Sequence, residues 1–241
     1  MALRFPLSRV ESNALRSAAA KKNLLAGSAV SHSQLKNAPL TPILAEQCNI
    51  LVAEDEMKGG LPSRNADDMI FAAADDMVAF AERNDMRVPG HNLRWHEGQP
   101  PWFAGLVTRE NASEILKEHI HNVAGHYAGR IHSWDVVNEA INPEGGRKDG
   151  MRDSLWIQRL GLRYIGIAFH AAAEADPKAL LTYNDFGLED DNPYNEHRRE
   201  ISLEFLKWMR RNQIPIHALG CNRISEQGMT TSRTGVACTR F

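Results

Sequence analysis

"HSWDVVNEAIN", residues 132–142, sets an aromatic, an acid and two valines directly before an Asn-Glu pair, so its polarity changes abruptly at Asn138. The apolar run through Trp134, Val136 and Val137 is of a length that forms a strand. A strand that closes on Asn138 and Glu139 carries an amide and a carboxylate to its C-terminal end. In barrels of parallel strands the loops at that end surround the ligand and supply the reactive side chains.

Working outward, short apolar runs alternate with longer stretches of helical period, the pattern of βα units around a parallel sheet. Strands are predicted over 24–30, 50–52, 86–93, 131–137, 180–184 and 217–221. Between them lie amphipathic helices. Asn65 is placed to cap one whose stripe is Met69, Ala73, Met77, Phe80 and Ala81. A second has Ile115 or Leu116, His119 or Ile120, Val123 and Tyr127 on one face. Two more run into prolines that end them, Pro177 and Pro215. The spacing fits a (β/α)8 TIM-barrel plan, of which about six βα units are present. The expected layout is an N-terminal segment or helix over 1–23, a partial barrel over 24–221 and an atypical tail over 222–241.

Bulk composition excludes several functional classes. A chain of 241 residues with 43% hydrophobic and 24% charged residues reads as globular. No stretch approaches the roughly 18 apolar residues of a membrane span. A net charge of −2 gives no basic field for nucleic acid, so neither nucleic acid nor membrane is an expected partner. The three cysteines share no metal-ligand spacing, and the start of the chain lacks the apolar run of a secretory leader.

Other strand ends also close on polar or aromatic groups. "AEDEMK" carries Glu54, Asp55 and Lys58, and "GHNLRWHEGQPPWF" carries His91, Trp95, His96 and Trp102. Each has a plainer role open to it, Trp102 as a core anchor, Lys58 as a solvated charge, His96 as a satisfied imidazole. Collected on one rim, they suit a ligand with hydroxyls to bond and ring faces to stack on, which describes a sugar.

These segments resemble family 10 glycoside hydrolases, the endo-1,4-β-xylanases. "GHNLRWHEGQPPWF" is similar to that family's "GHTLVWHSQ.P.W", "HSWDVVNEAIN" to its "WDVVNEA" and "AEDEMK" to its "PENxMKW". "ADPKALLTYNDFGLE" and "QIPIHALGCN" are similar to its fifth and sixth strands. The resemblance implies retaining cleavage within xylan or xylo-oligosaccharides, with no cofactor. It implies that Glu139 is the general acid/base and that Asn138 meets the sugar 2-hydroxyl. It further implies that Glu54, Asp55, Lys58, His96 and Trp102 grip the sugars on the non-reducing side. Asp55 stands where the family has Asn, Glu97-Gly98 where it has Ser-Gln, and Phe186 where it has Tyr.

The family's nucleophile lies in a "TELD" segment on the seventh strand, oriented by a "QSH" histidine. Here Asn222, Arg223 and Ile224 follow the sixth strand, no "TELD" occurs before Phe241, and Glu226 is the only carboxylate in the tail. An abrupt stop of this kind is what a frameshift or a misjoined gene end produces. The sequence thus leaves two readings, a xylanase whose last quarter is missing and a xylan-binding protein without turnover. Six strands alone would expose parallel edges, so marginal folding is expected of the isolated chain. A metal-dependent hydrolase is the third alternative, but His91 with His96, or His119 with His121, gives no recognised ligand spacing.

Overall fold

The computed structural model describes residues 14–58, 71–99 and 102–222, and the backbone of Val236–Arg240. Six strands run parallel in chain order: β1 Gly27–Val30, β2 Ile50–Ala53, β3 Pro89–His91, β4 Ser133–Asn138, β5 Leu180–Phe186 and β6 Ala218–Asn222. β1 pairs with β2, and β3 through β6 form a second set. The two sets join through Arg87, whose N–H donates to the Asn49 carbonyl and whose carbonyl accepts from Leu51, both at 2.9 Å. The result is an open arc of parallel strands, as a partial (β/α)8 barrel requires.

Helices cover the arc: α1 Leu15–Ala20, α2 His32–Leu35, α3 Leu40–Gln47, α4 Ala72–Arg83, α5 Phe103–Leu106, α6 Ala112–His126, α7 Leu155–Leu160, α8 Arg163–Ala175 and α9 Pro193–Arg211. The apolar stripes hold. α6 buries Leu116, Ile120 and Val123, followed by Tyr127, and α4 buries Met77, Phe80 and Ala81. In α4 the fourth core position falls on Ala74 rather than Ala73, while Asn65 and Met69 lie outside the described residues. Among the described residues no helix is long and apolar enough to cross a membrane.

Every residue of β4 is buried, because helices cover one side of the sheet and the arc's interior the other. Trp134 anchors it, donating its indole N–H to Asp176 Oδ2 at 3.1 Å. The ring lies so close to β3 that a Cβ on Gly90 would come within 2.1 Å of a ring carbon, so only glycine fits there.

Strand boundaries shift from the sequence reading: β1 begins at Gly27 rather than 24, β2 runs on to Ala53, β4 covers Ser133–Asn138 rather than 131–137, and β5 runs on to Phe186. β3 is shorter than the predicted 86–93, because Pro89 has no N–H to give the ladder and Arg87 makes only an isolated bridge. β6 runs one residue further, to Asn222, which pairs with Phe186. The tail also contributes a strand that its composition did not announce. β7, Val236–Arg240, runs antiparallel along β6, with Val236 opposite Asn222 and Arg240 opposite Ala218.

Candidate active site

The ends of β3, β4 and β5 meet at Glu139. The Asn138 N–H donates to the Arg94 carbonyl and the Glu139 N–H to the Asn184 carbonyl, both at 2.8 Å. Glu139 itself takes a left-handed backbone, φ 56°. Its carbonyl accepts from Arg152 Nε at 2.7 Å, which fixes the peptide where the chain leaves the strand. The carboxylate is 14% exposed. Its Oε2 accepts from the Trp95 indole N–H at 2.9 Å and lies 4.0 Å from His96 Nδ1.

His96 binds protons less readily than a free histidine, because of burial first and the Arg152 guanidinium second, against Glu139 and Glu97. The neutral imidazole is thereby favoured beside Glu139. Lys58 lies 5.6 Å from the centre of the Trp95 ring and pairs with Asp55 at 2.9 Å. That cation, the indole and Glu139 form one continuous line of contacts.

Of the residues expected at the site, Glu139, Asn138 and His96 line a narrow pocket together. Lys58 and Asp55 reach it through Trp95. Glu54 stands just beyond β2, its N–H bonded to the Val30 carbonyl at 2.9 Å. Trp102 is 38% exposed and meets Phe103 edge-on, and Phe103 tilts toward Trp156 of the pocket. Asn138 is 3% exposed and its Oδ1 accepts from Asn184 Nδ2 at 2.7 Å. Its amide N–H groups are left to offer a ligand. His91, placed on the rim by its sequence neighbours, is instead buried and bonded to Asp135 at 2.8 Å.

Behind the site Asp185 is fully buried and paired with Arg198 Nη2 at 2.8 Å. It also accepts from the Tyr183 hydroxyl and from the N–H groups of Phe186 and Ile141. Arg198 in turn donates to the carbonyls of Phe186 and Ile141, tying β5 to the segment after Glu139. These bonds commit Asp185 to structure. Among the described residues, Glu139 is the one carboxylate lining the pocket. No group of three or more His, Cys, Asp or Glu side chains among them is placed to hold a metal ion.

Residues 14–233 match the family described as Glycosyl hydrolase family 10. The chain belongs to glycosyl hydrolase family 10. It is 38% identical over 183 residues to an endo-1,4-beta-xylanase A of Thermotoga neapolitana, a match covering 70% of this chain and 16% of that protein. It is 37% identical over 195 residues to a beta-1,4-xylanase of Dictyoglomus thermophilum, covering 80% of this chain and 52% of that one. The structure of xylanase 10B from Thermotoga petrophila RKU-1 in complex with xylobiose superposes with a TM-score of 0.79 at 32% identity, covering 89% and 64% of the two chains. This family 10 chain therefore spans about half the length of the Dictyoglomus relative and under two thirds of the solved one.

A partly buried histidine behind the site is expected to make this family 10 chain sensitive to acid. His119 of α6 donates its Nε2–H to the Leu93 carbonyl at 3.1 Å. Burial first, and the Arg94 guanidinium second, push its pKa down to about 3. The unfolded chain takes up this proton near pH ~6.5 and the folded chain does not. The stabilisation is complete above that value and is lost as pH falls toward 3, amounting to about 3 kcal/mol by pH ~4. His119→Gln, which can still donate to Leu93, is expected to flatten the loss of melting temperature between pH 7 and 4. Melts with the same slope as the parent would exclude His119 as the source.

Proposed function

We propose that this chain acts on xylan or xylo-oligosaccharides, with Glu139 as the general acid/base of a retaining cleavage of internal β-1,4-xylosidic bonds. The observation that carries the reading is the Glu139 carboxyl group at the end of β4, held by Trp95 and backed by His96 in a pocket at the sheet's C-terminal rim. Family membership, and relatives named as xylanases, support the substrate class.

In such a reaction Glu139 gives its proton to the glycosidic oxygen as the bond breaks, then takes one from the water that completes turnover. Retaining enzymes attack the anomeric carbon with a second carboxylate about 5 to 5.5 Å away. Lys58, Asp55 and Trp102 are assigned to the sugars on the non-reducing side, with Glu54 beside them. The Asn138 amide is assigned to the 2-hydroxyl, where a hydrogen bond that tightens in the transition state speeds the reaction.

A second reading rests on the absence of another carboxylate among the described residues lining the pocket. It is a sugar-binding protein that does not turn over. Release of reducing ends from xylan, beside xylohexaose calorimetry, separates the two. Turnover lost in Glu139→Ala supports the enzyme, whereas binding without turnover in the parent establishes the second reading.

A further inference from the structure

Arg94, in the segment after β3, is a cation buried to 2% exposure. Among the described residues its Nε and Nη2 have no hydrogen-bond partner and no carboxylate pairs with it. Its guanidinium carbon lies 5.1 Å from the centre of the Trp156 ring. Trp156 is itself 1% exposed, and its indole N–H is also without a partner. Both side chains line the pocket beside Glu139, together with Arg152 and Tyr164.

Guanidinium and indole N–H groups can only donate. A buried cation with no counter-charge is strongly unfavourable, and its contact with an aromatic face offsets only part of that. Of the nearby carboxylates, Glu139 accepts from Trp95 through Oε2 and Asp185 is held by Arg198 and Tyr183, and neither is paired with Arg94 among the described residues. A small, negatively charged acceptor in this narrow pocket meets both demands at once, bonding the free donors and neutralising the guanidinium. A planar carboxylate matches the parallel N–H bonds of a guanidinium fork.

We infer that the pocket beside Glu139 binds a small monocarboxylate anion, held by the Arg94 guanidinium and the Trp156 indole N–H. The site shares its pocket with Glu139 but needs no sugar to be tested. Sodium formate is titrated into the full chain at constant ionic strength, set by a bulky sulfonate, and followed by melting temperature and calorimetry. A saturable rise in melting temperature is expected. Arg94→Met should abolish that response and, before formate is added, melt above the parent, since the uncompensated charge is gone. Trp156→Phe, which keeps the ring and removes the N–H, should weaken formate binding about tenfold, the loss of one charge-assisted bond. Arg94→Lys keeps the charge without the fork and should also weaken it. No saturable response in the parent, or an unchanged response in Arg94→Met, overturns the site. Chloride acting as well as formate overturns the carboxylate assignment.

Discussion

Glu139→Ala is expected to lower xylan hydrolysis by about 10²- to 10⁴-fold, the usual contribution of a positioned general acid. The same change should cost far less with a dinitrophenyl β-xylobioside, whose leaving group departs without a proton. That contrast distinguishes proton donation from a role in binding or folding. Glu139 is bonded through Oε2 to Trp95 alone, so its removal leaves one half-buried indole N–H and little structural damage. An equal loss on both substrates would show that Glu139 positions the sugar rather than protonating the leaving oxygen.

The largest effect on stability is expected at Arg198. Its guanidinium is bonded to Asp185, Phe186 and Ile141 and lies 4.3 Å from the centre of the Phe186 ring. Arg198→Leu strands a buried carboxylate, which costs about 3–5 kcal/mol. At about 2–4 °C per kcal/mol for a chain of this size, melting should fall by roughly 6–20 °C. The pH dependence identifies the cause. Burial already raises the Asp185 pKa to about 6, with Arg198 opposing the rise. Without Arg198 the folded state holds that proton more tightly still. A raised carboxyl pKa stabilises the fold below the unfolded value and loses that effect as pH rises through the folded one. The deficit of Arg198→Leu should accordingly narrow at pH 5 and widen at pH 8. A deficit that does not change with pH would point to lost packing instead.

The fold was legible where burial is continuous. Strands near 50, 131 and 180 are short apolar runs, and the stripe through Leu116, Ile120, Val123 and Tyr127 fixed the face of α6 before any coordinate. β7 was not legible, since "VACTR" is too short to show a period and its pairing with β6 is non-local. At the site, motif and position together indicated Glu139, His96 and Lys58. What the sequence concealed is which polar groups satisfy one another. Asn138 gives its oxygen to Asn184, His91 turns inward to Asp135, and Arg152 holds the Glu139 carbonyl from thirteen residues away. Such partners are chosen by loop conformation, and no spacing rule encodes them. Arg94 is the extreme case, because a long cationic side chain is ordinarily assigned to the surface.

The left-handed turn at Glu139 sets the proposed chemistry against durability. A residue with a Cβ in that conformation costs about 1–2 kcal/mol, and glycine costs nothing comparable. Glu139→Gly should therefore melt a few degrees above Glu139→Ala, about 2–4 °C per kcal/mol released, although both lack the carboxyl group. A chain that sheds this strain by taking glycine gives up, in the same step, the carboxyl group proposed as its acid.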